Sequence, residues 1–152
     1  MKHIVIDKQN RRLQLREGGR MLFSCPIALG FAPVGHKQKQ GDGKTPVGEY
    51  CIAFKRGMGK YGASLALNYP NELDAKEGVK KGRLSPDLLP LFEEAEQAKH
   101  RPPWGTALGG EIYIHGGGRA SDWTAGCIAL DNGDATALFL LVQKDTCVRI
   151  ME

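Results

Sequence analysis

Long apolar runs are what this chain most plainly lacks. Nothing in it approaches the roughly 20 residues of a membrane-spanning helix, so no membrane span is expected. After Met1-Lys2-His3 the first apolar run stops at Ile6, far short of the core of a signal peptide. Either a leader is missing from this chain or the protein is not exported by the usual route. Cysteine is also scarce. Cys25, Cys51, Cys127 and Cys147 include no C-x-x-C pair, which argues against a disulfide framework at this size. His3, His36, His100 and His115 fall at ligand spacing with no cysteine pair, so no metal and no cofactor is expected. Charge is not lopsided either: a net +4 suits an anionic polymer without demanding one and is no nucleic-acid footprint. Repeats, linkers and low-complexity segments are absent. Gly43-Lys44-Thr45 mimics the end of a phosphate-binding loop, but position 38 is Gln38 where that motif needs glycine. Pro46 further pushes Thr45 away from helix, which excludes the nucleotide reading.

What is present describes one ordinary globular domain over residues 1–152, with 41% hydrophobic and 25% charged residues. A monomer is expected. Ile4–Ile6, the alternating Leu13 and Leu15, and Met21–Leu29 predict three short strands joined by polar turns, hence an antiparallel meander. Gly30–Gly41 reads as a loop, with His36–Gln40 a solvated turn. Glu49–Phe54 and Ser64–Tyr69 predict further strands around a glycine-rich turn at Arg56–Tyr61. Asn71–Lys81 and Pro90–Lys99 predict helices, the second stopped by Pro102-Pro103. Its stripe of Leu88, Leu91, Phe92 and Ala95 is expected to pack on the sheet with one edge near the site, a lid being the functional alternative. Ala135, Leu138, Phe139 and Val142 recur at helical spacing behind Asn132, taken as the N-cap. Cys147–Met151 closes the sheet, and Cys25, Cys51 and Cys147 are expected in the core because they lie in apolar runs.

The chemistry concentrates in Glu111–Asn132, E-I-Y-I-H-G-G-G-R-A-S-D-W-T-A-G-C-I-A-L-D-N. Strand alternation puts Ile112 and Ile114 on one face and Tyr113 and His115 on the other. The imidazole therefore leaves the sheet where a loop begins. Gly126 before Cys127 permits a tight turn and brings a bare N–H close to whatever the sulfur attacks. A Cys and a His joined by such a loop are the minimum for thiolate acyl transfer. An isolated pair of this kind would more often be core residues; the glycines and the strand-end placement reverse that preference.

I-H-G-G…T-x-G-C-I-A-L-x-N resembles the active-site signature of the L,D-transpeptidase (YkuD-type) catalytic domain, a family that remodels peptidoglycan. The resemblance extends to G-D-G-K-T-P-V-G-E-Y at Gly41–Tyr50, L-N-Y-P-N at Leu67–Asn71 and the closing strand Thr146–Met151. It departs at Ala125, where the family commonly has a second His, and at Ala129, where Arg or Asn is frequent. The resemblance implies a mainly β (α+β) fold, a curved β-sandwich with a helix after the nucleophile and a partly helical insertion. It implies peptidoglycan stem peptides as partners and the cell envelope or periplasm as the location. Cys127 would attack the donor carbonyl, releasing D-Ala and forming a thioester, with His115 as general base and then acid. Backbone N–H groups around Gly126 and Cys127 would hold the oxyanion. A carbonyl near Gly116–Gly117, or the hydroxyl of Thr124 or Ser121, would hold the imidazole tautomer, and Tyr69, Arg119 and Trp123 would line the cleft. A cysteine hydrolase acting on stem peptides or wall-linked protein shares all these residues. A catalytically silent wall-binding module shares the fold without a reactive sulfur.

Overall fold

Alternation of apolar and polar residues builds the first three strands as the sequence predicts: β1 (Lys2–Asp7), β2 (Arg12–Glu17) and β3 (Arg20–Pro26). Ile4, Ile6, Leu13 and Leu15 point inward and are fully buried. The computed structural model describes residues 1–152, the side chain of Met58 excepted. A second group of strands carries the candidate chemistry: β4 (Gly48–Gly59), β5 (Gly62–Leu67), β6 (Tyr113–His115) and β7 (Ile128–Ala129). The last strand, β8 (Cys147–Met151), does not lie at an edge. It sits between β1 and β4, so the order across the eight strands is β3-β2-β1-β8-β4-β5-β6-β7. β8 runs parallel to β1 and antiparallel to β4, and β7 runs parallel to β6. The purely antiparallel sheet that the meander suggested is thus a curled mixed sheet, a half-barrel with few helices, because two strands arrive by long crossovers.

One core runs along the concave side, from Ile4 and Leu15 through Ile52, Leu67 and Ile114 to Ile128 and Leu138. Helix α3 (Asn132–Leu141) covers it with Ala135 and Leu138. The insertion between β5 and β6 holds α1 (Glu72–Lys80), a 3-10 turn at Pro86–Leu88 and α2 (Leu89–Ala98). Asn71 caps α1 reciprocally: its side chain accepts from the Asp74 N–H at 2.9 Å and Asp74 accepts from the Asn71 N–H at 3.0 Å. The apolar stripe of α2 is not spread over the sheet. Phe92 buries itself with Ala75, Leu84 and Leu108 in a small core of the insertion, and Leu91 is left exposed.

Two further expectations are corrected. Cys25 and Cys51 are buried, and burial pushes their thiols up to about 12 and about 11; Cys147, however, is exposed, since it falls on the outer face of β8. The His36–Gln40 turn is not simply solvated. Lys37 is 3% exposed, its ammonium bound to Asp42 at 3.0 Å, and His36 Nε2 lies 2.8 Å from Asp74. No helix among the described residues is long and apolar enough to cross a membrane.

Candidate active site

His115 ends β6 and is 5% exposed. The next residue is glycine for a steric reason: a Cβ on Gly116 would lie 2.5 Å from Asn132 Oδ1 and 3.0 Å from the Tyr61 carbonyl. The same Asn132 oxygen accepts the Gly117 N–H at 2.9 Å. Asn132 is therefore the first residue of α3 and ties it to the loop, while Asp131 occupies the N-cap position. His115 Nδ1 donates to the Gly116 carbonyl, which fixes the tautomer and leaves Nε2 unprotonated. Burial lowers the pKa of His115 below its ordinary value, and the Gly116 bond offsets this in part. The imidazole is neutral near pH 7, as a base must be.

Cys127 is brought alongside by the parallel pairing of β6 and β7, in which Ile114 faces Ile128 and His115 faces Ala129. One step back in that register Cys127 meets Tyr113, whose N–H donates to Sγ at 3.3 Å; Sγ lies 3.4 Å from the Glu111 carbonyl. Burial pushes the thiol up to about 11, opposed by the Tyr113 N–H and then by the charge of Lys37. The resting sulfur is thus a thiol, and a nucleophilic role for it would call for a base. Thr124 shapes the turn that presents it: its Oγ1 accepts the Gly126 N–H at 3.1 Å and donates to the Cys127 carbonyl at 2.7 Å. Gly126 has φ +147°, and a Cβ there would lie 2.8 Å from the Lys44 carbonyl oxygen and 3.0 Å from Ile112 Cδ1.

His115 and Cys127 open onto one cavity of about 310 Å³, whose walls include Arg56, Lys60, Tyr61 and Tyr113. Tyr61, at the tip of the β4–β5 hairpin, stacks on the imidazole with centroids 4.7 Å apart and planes 18° apart. Trp123 meets the same imidazole edge-on at 5.8 Å. Beyond Tyr61 lies a wider, shallower depression of about 720 Å³ lined by Gly117, Arg119, Ser121, Trp123 and Asp131.

The residues singled out in the sequence therefore separate into three groups. His115 and Cys127 share a cavity. Gly117, Arg119 and Trp123 line the neighbouring depression, Arg119 paired with Asp131 at 3.0 Å. Gly116, Thr124 and Gly126 shape the backbone. Tyr69 is not in the cleft: it is fully buried and its hydroxyl donates to the Leu108 carbonyl at 2.8 Å, because the insertion folds over it. Neither α1 nor α2 contributes to the cavity, so the lid alternative has no support. Sequence reasoning missed Arg56, Lys60, Tyr61 and Lys37. A tyrosine beside Gly62 at a hairpin tip was the available signal for Tyr61. No group of three or more potential metal ligands occurs among the described residues.

A family model described as the L,D-transpeptidase catalytic domain (YkuD) matches residues 1–150. Among solved structures, the helical cell shape determining protein Pgp2 from Campylobacter jejuni is similar at 28% identity and a TM-score of 0.67. The match covers 99% of this chain and 47% of that one, so the chain spans about half the length of Pgp2. Bd1075 from Bdellovibrio bacteriovorus follows at 21% identity and a TM-score of 0.63, again over 99% and 47% of the two chains. L,D-transpeptidase 1 from Mycobacterium tuberculosis gives 12% identity and 0.57, over 99% and 61%. At those lower identities the shared property is the fold. None of the curated proteins matches the chain.

Proposed function

The chain belongs to the L,D-transpeptidase (YkuD) catalytic domain family, and from that premise we propose that residues 1–152 are one catalytic unit that acts on peptidoglycan stem peptides by thiol acyl transfer. The observation that carries the proposal is the meeting of a neutral imidazole and a half-buried thiol in one 310 Å³ cavity. His115 Nε2 takes the Cys127 proton as Sγ attacks the carbonyl that precedes the terminal D-Ala. The tetrahedral oxyanion faces backbone donors at the Gly126–Cys127 turn. The Gly126 N–H is already given to Thr124, which assigns the oxyanion to the Cys127 N–H. His115 then returns the proton to the leaving amine, the C–N bond breaks and D-Ala departs. An acceptor amine attacks the thioester, His115 takes its proton, and the thiol is restored. The cationic walls Arg56 and Lys60 suit a donor that ends in a carboxylate. Such a substrate places the protein in the cell envelope.

The test is incubation with purified disaccharide tetrapeptides, with and without an added amine, followed by mass analysis. D-Ala release with an amine adduct supports transfer. D-Ala release with the tripeptide alone, even at high amine, makes the protein a hydrolase. No product, with Cys127 unreactive, leaves a binding module.

A further inference from the structure

The sheet brings together two cysteines that the proposed chemistry does not use. Cys51 on β4 and Cys147 on β8 are direct partners across an antiparallel pair. The backbone of Cys51 is turned away from β8: its N–H donates to Asn68 Oδ1 at 2.9 Å and its carbonyl accepts the Asn68 N–H at 3.1 Å. The next residue, Ile52, is the one that bonds across, its N–H reaching the Thr146 carbonyl at 3.0 Å. Cys51 and Cys147 therefore face each other at a non-hydrogen-bonded position, where Cα atoms approach to about 4.5 Å and side chains are closest. Glu49 and Arg149 occupy the same kind of position two residues along, on the same face, and their side chains touch at 2.6 Å. A disulfide asks for Cα atoms about 4.4–6.8 Å apart, and the spacing of about 4.5 Å usual at such a position falls at the lower end of that range. Cys147 is exposed and Cys51 is 7% exposed, so a reagent reaches one sulfur and the other waits beneath it.

We propose that Cys51 and Cys147 form a redox pair that closes into a cross-strand disulfide by exchange with a small-molecule or protein disulfide. The Cys147 thiolate attacks one sulfur of the oxidant, breaks its S–S bond and expels one thiolate. The Cys51 thiolate then attacks the Cys147 sulfur of the mixed disulfide and expels the second. The two cysteines lose two electrons, the oxidant leaves as two thiols, and the two cysteine protons go to those thiols or to solvent. The bond would tie β8 to β4, where the half of the sheet holding β1–β3 joins the half holding the His115–Cys127 cavity. Neither sulfur lines that cavity, so this inference stands apart from the catalytic reading.

Incubation of the full chain with excess oxidised glutathione at neutral pH tests it, read by non-reducing peptide mapping and intact mass. The expected result is a loss of about 2 Da assignable to one new bond, with the Cys51 peptide joined to the Cys147 peptide. Cys147→Ser, an exposed and mild change, abolishes that linked peptide, and Cys25→Ser leaves it. The oxidised protein melts about 5–10 °C above the reduced one. Free Cys51 and Cys147 after equilibration, a glutathione adduct that persists on Cys147 without closure, or a bond from either sulfur to Cys25 or Cys127 would each overturn the proposal.

Discussion

Replacing Gly126 by Ala puts the turn before the nucleophile under a load that can be worked out atom by atom. At φ +147° the backbone is in territory that side-chain-bearing residues rarely occupy, and holding one there costs about 1–3 kcal/mol. The new Cβ also lands 2.8 Å from the Lys44 carbonyl oxygen. That oxygen has little room to retreat. Lys44 is pinned through its N–H to Asp42 Oδ1 at 3.1 Å, and its neighbour Thr45 is fully buried with Oγ1 accepting the Gly30 N–H at 3.0 Å. Overpacking of this kind costs a further 1–3 kcal/mol or so. Together the two terms amount to about 2–6 kcal/mol, or a fall in Tm of roughly 4–24 °C for a domain of this size. Because the displaced backbone leads directly into Cys127, a shift near 1 Å should slow D-Ala release by about a hundredfold. Gly133→Ala is the control. It lies in the first turn of α3 with nothing within 4 Å of the added carbon, and alanine there should stabilise by up to about 1 kcal/mol. Thermal melts and stem-peptide turnover on both variants decide the matter. A Gly126→Ala protein that melts and turns over like the wild type would refute the reasoning.

His115→Ala should reduce the acylation rate by about 10²–10⁴-fold with little change in donor affinity, and equal losses in both would make the imidazole a binding group. Because burial lowers the pKa of His115, the base stays deprotonated to below its ordinary value of 6.5, and the acid limb of the rate profile should have its midpoint under that value; a midpoint above it would contradict the burial argument. A carbapenem, whose strained carbonyl is attacked like the donor's, should leave an adduct on the Cys127 peptide, and no adduct together with no D-Ala release would sink the transpeptidase reading. Iodoacetamide should discriminate less, labelling exposed Cys147 as well, while the buried Cys25 and Cys51 thiols, raised to about 12 and about 11, react with this external reagent far more slowly. Chelators should not change turnover, and loss of activity with rescue by zinc would overturn the thiol mechanism.

The parts legible in the sequence were those written in local pattern. Ile4, Ile6, Leu13 and Leu15 alternate, so the meander could be placed; the acidic-then-basic run Asn71–Lys81 and Pro102-Pro103 after Lys99 marked two helices. The His115 and Gly126-Cys127 motifs carried the family. What stayed hidden depends on contacts between distant residues. Nothing local says that β8 inserts between β1 and β4 rather than at an edge, and that same insertion exposes Cys147. Lys37 looks solvated until Asp42 and the Gly126 turn close around it. Tyr61 looks like turn filler until the hairpin folds back and its ring meets the imidazole. Asn132 carries the sign of a helix cap, but its oxygen is taken by Gly117 fifteen residues upstream.

The central place of β8 has a consequence for how the molecule is made. Residues that form the cavity, from Arg56 through Cys127, are all synthesised before residues 147–151. Until that segment docks, β1 and β4 each present an open edge of unpaired N–H and C=O groups, and unpaired edges recruit other chains. Those two edges therefore stay open while most of the polypeptide has already emerged. A chain cut short between Cys127 and Cys147 would carry both His115 and Cys127 and still lack the strand that joins β1 to β4. Aggregation of the nascent protein, rather than loss of a reactive residue, is the hazard that this topology builds in.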